Sequence, residues 1–385
     1  MRVTITSRIF APEPAAAAYR LSALATALAD AGHEVTVLTT RTPAALGRAE
    51  AARVRGSGRV RVRRAPVLRD AAGQVRGYVP YLSFDVPLFF RLLFAPRADR
   101  IVTEPPPTTG FVVRLAAALR RTPYVYYAAD VWSDAAESTG APRPVVRFVR
   151  WLERRALRGA AEVIAVTDGV AERVRELGGH DRVALVPNGV DTEIFTPDGP
   201  RLSGPPTAVY AGTTSEWQGA DVFVRAMPAV LAAIPDARLV FVGQGSARAE
   251  LERLASGLAR EAIEFRDPVP AAEAATALRS ARVGLVSLQP GIGYDFAVPT
   301  KLFAAAACGT PVLFAGTGAS VAVIESGGIG RAVDHDVADV AGALMAALAS
   351  EPSPLERRRT AEWVRQHASI AATGAKAALI VERAQ

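Results

Sequence analysis

One cysteine, Cys308, stands in a chain of 385 residues. A single thiol excludes an intrachain disulfide framework and a structural zinc site built on cysteines. Lysine is almost missing: Lys301 and Lys376 are the only two among 45 basic residues. Three phosphate and catalytic fingerprints are missing as well. Without G-x-G-x-x-G a nicotinamide or flavin enzyme is disfavoured, without G-x-x-x-x-G-K-[ST] a P-loop phosphotransferase, and without G-x-S-x-G a nucleophile-elbow hydrolase. No apolar run reaches membrane-spanning length without a charge. Arg2 and Arg8 flank a strand-like Val3-Thr4-Ile5, with no signal-peptide core. These absences predict a soluble cytoplasmic protein, with the inner face of a membrane as the other place. Asp334-His335-Asp336 has the look of a metal triplet, but it stands just before a helix, where N-capping explains it better. No metal and no cofactor are expected.

What is present is unevenly spread. Residues 1–200 hold 28 arginines and no lysine against 20 acidic residues, whereas residues 201–385 hold 17 basic against 18 acidic. The excess lies in the first half, as in Arg53, Arg55, Arg59, Arg61, Arg63 and Arg64. No aromatic-interleaved basic motif or zinc knuckle accompanies it, so nucleic acid is not the expected partner. An anionic acceptor, a membrane surface bearing anionic lipid, and plain solvated arginines all fit.

Strand and helix patterns alternate, which predicts an α/β chain with parallel sheets. Strands are expected at residues 2–6, 34–39, 60–63, 100–103, 124–127, 162–166 and 183–186, with helices at 19–31, 107–121, 144–158 and 169–177. Thr196–Pro206, with four prolines and two glycines in eleven residues, reads as an interdomain linker. The alternation then restarts, from a strand at 208–211 to a strand at 330–333, and residues 337–383 read as helical. The chain is thus expected to form two Rossmann-like domains facing a cleft, with ligand at the carboxyl ends of the strands. The segment Tyr78–Phe94 is aromatic and apolar, and fits an acceptor pocket, a membrane contact or a core helix.

Three strand-to-helix turns carry the chemistry. Gly212-Thr213-Thr214 with Gln218, and Gly243-Gln244-Gly245, end strands with small residues that let backbone approach a phosphate or ribose; a plain turn requirement is the simpler alternative. In the third, Pro299-Thr300-Lys301-Leu302 opens a helix. A lysine there, in a chain that uses arginine nearly everywhere else, suggests a compact point charge for a leaving diphosphate; an ordinary surface lysine is the alternative. Asp130 follows a strand, with Asp134 and Glu137 on one face if the stretch is helical. They suit the orientation or deprotonation of an acceptor hydroxyl, or, more simply, an N-cap and a solvated face.

Over nearly its whole length the chain resembles the family 4 retaining glycosyltransferases of the two-Rossmann-domain (GT-B) type. Leu185-Val-Pro-Asn-Gly-Val-Asp-Thr-Glu-Ile-Phe195 is similar to that family's interdomain signature, and Phe10-Ala-Pro-Glu13 with Arg20 to its N-terminal pattern. Val298-Pro-Thr-Lys-Leu-Phe303 and Ala307-Cys-Gly-Thr-Pro-Val312 are similar to its donor half. Asp130-Val-Trp-Ser133 resembles a branch acting on amino-sugar and surface-polysaccharide precursors. The resemblance implies metal-independent, retaining transfer of a sugar from a UDP- or GDP-sugar, a substrate and not a cofactor, to a natural-product scaffold or lipid-linked acceptor. It implies an acceptor domain over residues 1–195, completed by a helix from about 368–385, the linker at 196–206, and a donor domain over 207–367. Donor contacts would fall on the three turns and Arg266, acceptor contacts on Glu13, Ala15, Ala16, Arg20 and Asp134, and catalysis on Asp130 and Lys301. The two glutamates that the family usually carries, with seven residues between them, fall on Phe296 and Ala304 here. An epimerase-like enzyme and a non-catalytic nucleotide-sugar-binding protein are the alternatives. The sugar, the base and the oligomeric state stay open.

Overall fold

The computed structural model describes residues 1–13, 15–41, 59–69, 75, 77–138, 140–179, 181–259 and 261–385. Arg53 and Arg55 of the basic segment lie outside the described residues. The chain divides into two compact units. One is Met1–Asn188 with Ile370–Gln385, the other Gly189–Ser369.

The first unit holds seven strands: β1 (Arg2–Thr6), β2 (Glu34–Thr40), β3 (Val60–Ala65), β4 (Arg100–Thr103), β5 (Tyr124–Ala128), β6 (Glu162–Ala165) and β7 (Val183–Leu185). They form one sheet in the order β3-β2-β1-β4-β5-β6-β7, and every pairing is parallel. Its helices are α1 (Ala16–Asp30), α2 (Tyr78–Phe94), α3 (Pro107–Arg120), α4 (Trp132–Ser138), α5 (Arg143–Gly159) and α6 (Asp168–Gly178). The strands are rich in β-branched residues, and the central β4, β5 and β6 are buried on both faces, as helix-covered parallel sheets require, while the edge strands β3 and β7 are not. Helix α1 starts at Ala16, earlier than the sequence pattern predicts, because the alanine run has the highest helix propensity. Ile5 pairs with Val37 on one side and Val102 on the other, so the strand order reverses at β1. That reversal is a topological switch point, where ligands of open α/β sheets bind at the carboxyl ends of the strands.

The second unit repeats the plan. Its strands are β8 (Thr207–Ala211), β9 (Arg238–Val242), β10 (Ile263–Arg266), β11 (Val283–Ser287), β12 (Val312–Ala315) and β13 (Gly330–Val333), in the parallel order β10-β9-β8-β11-β12-β13. Helices α7 (Asp221–Ala233), α8 (Arg248–Ala255), α9 (Ala271–Ser280), α10 (Thr300–Ala307), α11 (Ala319–Gly327), α12 (Val337–Ala349) and α13 (Pro354–His367) cover both faces. Neighbouring strand residues serve opposite cores: Tyr210 and Phe241 join Phe223 and Leu344, while Val209 and Val240 join Phe303 and Phe314. This is the period of two expected of a strand. Its switch point is β8, between β9 and β11.

The C-terminal helical stretch is three helices, α12, α13 and α14 (Ile370–Arg383). The last belongs to the first unit, where Glu382 meets His33 at 2.8 Å and Arg383 meets Glu162 at 3.3 Å. The proline-rich segment at 196–206 belongs to the second unit and is tied down there. Arg279 donates to the carbonyls of Thr196 (3.2 Å) and Pro200 (3.0 Å), and Leu202 N–H donates to Ser280 Oγ (2.8 Å). The segment is thus a strap docked on the second unit. Asp336 caps α12, accepting from the N–H groups of Ala338 (2.8 Å) and Asp339 (3.3 Å), and neighbouring His335 meets the Gly219 carbonyl at 2.8 Å.

Candidate active site

In the second unit the loops after β8 and β9 are stitched together by backbone. Gly212 N–H donates to Val242 O (2.8 Å), Thr214 N–H to Gln244 O (3.1 Å), and Ala247 N–H to Thr214 O (2.9 Å). The approach is so close that a Cβ on Gly243 would meet Gly212 O at 2.2 Å, and one on Gly245 would meet Thr214 O at 2.2 Å. Gly243 also holds φ 137°. These two glycines are therefore required by the loop-to-loop contact itself. Arg248 adds a clamp, donating to the carbonyls of Gly243 (2.6 Å) and Arg266 (2.9 Å).

Lys301 reaches across to this turn from the start of α10. Its Nζ donates to Tyr210 Oη (2.6 Å) and to the Thr213 carbonyl (2.8 Å), and lies 4.0 Å from the centre of the Tyr210 ring. All these partners are neutral. No carboxylate among the described residues pairs with it, and burial pushes its pKa down to about 7. Pro299 occupies the N-cap of α10 without a side-chain cap, so the first-turn N–H groups of Thr300 and Lys301 have no intrahelical acceptor. A half-buried cation and the positive end of a helix thus share one place, which suits an anion.

Several residues expected to contact the donor have other work. Gln218 is buried; its Oε1 accepts from Ser215 N–H (3.1 Å) in a capping box and lies 3.1 Å from Tyr210 Oη. Leu302 is a core side chain, and its N–H donates to Pro299 O (3.0 Å). Arg266 pairs with Glu264 on the same strand (2.7 Å), and its carbonyl accepts from Gly243 N–H (3.1 Å). Thr213, Gln244 and Thr300 are exposed, and Gly212 is open on one side and lined by Lys301 on the other. At the two positions where the glutamates are missing, Phe296 lies 6.3 Å from Tyr294, which stacks on Trp217 at 4.6 Å, and Ala304 packs against the core. Tyr210, the partner of Lys301, carries no signal in the sequence beyond its place in a strand.

The corresponding place in the first unit, after β1 and β4, is built around a closed pair. Arg20 Nη2 donates to Glu104 Oε2 at 3.0 Å, both side chains being buried. Ser7 Oγ donates to Glu104 Oε1 (2.5 Å), Arg20 Nη1 donates to Asn188 Oδ1 (2.9 Å), and the guanidinium lies 4.9 Å from the Tyr127 ring centre. Arg20 is thereby held by Glu104 and Asn188, which gives Asn188 a contact rather than a turn role alone. Asp130 lies beyond β5. Its side chain is exposed, yet the protein crowded around it strips enough water from the carboxyl to raise its pKa, an effect opposed by the nearby Arg20 charge. It does not cap α4. Glu153 of α5 does that, accepting from the N–H groups of Trp132 (2.8 Å) and Ser133 (3.0 Å). Asp134 is bound by Arg173 through both oxygens (2.6 and 2.9 Å), and Glu137 by Arg150 (2.6 Å). Asp134 thus ties α4 to α6. Glu13, 3.5 Å from Arg69, is raised by burial more than its arginine neighbours lower it. Ala15 is the N-cap of α1 and donates to Glu13 O (2.9 Å), and Ala16 opens the helix with no acidic residue in its first turn.

Two Rossmann-like parallel-sheet units define the GT-B class of fold. Residues 16–189 match the family described as "Glycosyl transferase 4-like domain", and residues 205–350 match "Glycosyl transferases group 1". The chain belongs to the family 4 glycosyltransferases of this type. The D-inositol 3-phosphate glycosyltransferase of Thermomonospora curvata is 30% identical over 256 residues, covering 60% of this chain and 58% of the relative. The phosphatidyl-myo-inositol mannosyltransferase of Mycolicibacterium smegmatis is 35% identical over 191 residues, covering 48% of this chain and 47% of the relative. The chain spans about half the length of the curated relatives it matches. Among solved structures, the sucrose-phosphate synthase of Thermosynechococcus elongatus superimposes with a TM-score of 0.72 at 20% identity, covering 100% of this chain and 98% of that one. Anabaena HepE in complex with UDP and glucose gives 0.68 at 15% identity, covering 100% of both. At these identities the likeness is one of fold.

Proposed function

We propose that the chain is a retaining, metal-independent glycosyltransferase that takes a sugar from a nucleotide-diphospho-sugar and gives it to a hydroxyl. The second unit holds the donor and the first holds the acceptor. The observation that carries this is Lys301, a half-buried cation whose partners are all neutral, set beside the open start of α10. A diphosphate supplies the missing negative charge, and more of it develops as the glycosidic bond breaks. Retention without an enzymic nucleophile follows from front-face attack, with the leaving diphosphate helping to take the acceptor proton. Asp130 suits the orientation of that hydroxyl: Glu153 relieves it of capping, and its surroundings hold its pKa above the ordinary range. The acceptor is the hydroxyl of a natural-product scaffold or a lipid-linked precursor; relatives named for inositol phosphate and phosphatidylinositol support an acceptor that carries an anionic group.

A panel of UDP-, GDP- and dTDP-sugars in EDTA tests the proposal. A donor should raise the melting temperature by binding only the folded chain. Its sugar should then move to an added acceptor with the chelator still present. Turnover restored only by Mg²⁺ or Mn²⁺ would remove the metal-independent part. Donor consumption without acceptor would replace transfer by an epimerase-like reaction.

A further inference from the structure

Helix α2 is apolar on two sides. Inward it buries Phe84, Leu88 and Leu92. Outward it exposes Val79, Leu82, Val86, Phe90 and Phe94, at spacings of three and four residues that form one stripe along a helix. Phe94 keeps 83% of its surface exposed. The two charges of the helix leave the stripe intact. Asp85 is fully buried and accepts from Thr109 Oγ1 (2.6 Å), and Arg91 donates to the carbonyl of Arg63 (2.8 Å).

The stripe widens across two more helices. Arg120 of α3 donates to the carbonyls of Leu93 and Ala95, which sets the ends of α2 and α3 side by side. Leu115 and Leu119 of α3 are exposed there. On α5, Trp151 packs against Phe111 of α3 (5.3 Å) and against Phe148 (6.1 Å), and both α5 rings are exposed. Nine of the 17 exposed large hydrophobics among the described residues lie on these three helices, a concentration unlike the scattered apolar residues of ordinary surfaces.

The charges on this face have one sign. The three helices carry nine arginines, and their only acids, Asp85 and Glu153, are buried. Arg143, Arg147 and Arg155 are exposed, with no ion-pair partner among the described residues. A second copy of the chain on a two-fold axis would set this arginine rim against itself. An anionic surface with an apolar interior complements both features. No helix among the described residues is long and apolar enough to cross a membrane, so the face would lie on a bilayer rather than span it.

We propose that the face formed by α2, α3 and α5 docks on an anionic lipid bilayer. Its aromatic and aliphatic side chains enter the boundary between headgroups and acyl chains, and its arginines lie against anionic headgroups. The docking needs neither donor nor turnover, so it stands or falls apart from the transfer reaction.

Sedimentation of the full chain with phosphatidylcholine vesicles, with and without phosphatidylglycerol, tests this. The chain should bind the anionic vesicles, spare the neutral ones, and release as salt rises. Arg143→Glu with Arg147→Glu should weaken binding on the order of a hundredfold. Phe90→Ser with Phe94→Ser should weaken it roughly tenfold or more. These side chains are exposed, so the melting temperature should hold in both variants, which separates lost docking from lost folding. Equal binding to both kinds of vesicle, no binding at low salt, or indifference to both double substitutions would overturn the proposal. So would a dimer in sedimentation equilibrium that the phenylalanine pair abolishes, since a second copy would then cover the face.

Discussion

The two units share a plan and differ in how they treat a cation at the same topological place. Beside β1 the first unit buries Arg20 against a carboxylate, Glu104, at 3.0 Å. Beside β8 the second unit sets the half-buried Lys301 against a phenol and a carbonyl, at 2.6 and 2.8 Å. The carboxylate neutralises the charge of Arg20 and leaves little demand for an anionic ligand, even where the pair does not repay its own desolvation. A half-buried cation among neutral oxygens leaves that demand open. Arginine suits the first case because its fork reaches Glu104 and Asn188 together; lysine suits the second because a point charge on a flexible stem can follow an arriving phosphate. The surfaces differ too. Most exposed large apolar side chains lie on the first unit, which also carries the excess of arginine.

The largest expected effect breaks the closed pair. Arg20→Ala leaves Glu104 buried and uncompensated and takes a donor from Asn188. Removing one partner of such a pair costs about 3–5 kcal/mol of stability. Denaturant unfolding should show that loss, while the affinity of the folded protein for a nucleoside diphosphate stays near wild type. A stable Arg20→Ala protein with weakened acceptor kinetics would return Arg20 to the acceptor role that sequence alone assigns it.

The open cation should respond the other way. Lys301→Ala removes no ion pair, so the fold should lose little. Turnover should fall by roughly a hundredfold or more, about 2–4 kcal/mol in the barrier, because the diphosphate gains charge in the transition state. Lys301→Arg should recover only part, since a planar fork fits poorly between Tyr210 Oη and the Thr213 carbonyl. Kinetics with the true donor decide the matter. Near-normal turnover in Lys301→Ala would move the diphosphate site elsewhere.

How far these roles are legible in the sequence depends on the range of the forces involved. The strands are legible because β-branched residues in buried parallel sheets leave a local pattern. Lys301 is legible by its scarcity, and Asp130 by its place after a strand. What the two cations bind is not legible. Glu104 lies 84 residues from Arg20, Asn188 lies 168 away, and Tyr210 lies 91 from Lys301. Only the sheet order brings these together. Gln218 and Arg266 mislead for a related reason: they stand in the right turns, but a capping box and an ion pair two residues away already hold their polar groups. The strap at 196–206 reads as a linker because its prolines and glycines are visible, while the Arg279 that anchors it lies some eighty residues on. Helix α2 reads ambiguously because a helix apolar on both sides carries no amphipathic period.

The smallest expected effect concerns protons and sharpens the contrast at a single group. Burial lowers the Lys301 pKa to about 7 in the absence of a diphosphate. An arriving diphosphate favours the charged amine and raises that pKa. Between the two values the complex holds a proton that the free protein lacks, so binding takes up a proton. Affinity for UDP or GDP should be steady below about pH 7 and then weaken as pH rises, approaching tenfold per unit at most, or about 1.4 kcal/mol. The same sign governs stability without ligand. The unfolded chain carries a lysine of ordinary pKa and binds more protons above pH 7, so this group's contribution to stability rises with pH from about 7 toward the ordinary lysine value. Calorimetry in two buffers of different ionisation enthalpy would show the uptake as a difference in apparent binding heat, and Lys301→Ala should abolish both that difference and the pH slope. If the slope survives the substitution, the proton belongs to another group and the second unit's cation is closed like the first's; if it vanishes, the two switch points hold their charges for different ends.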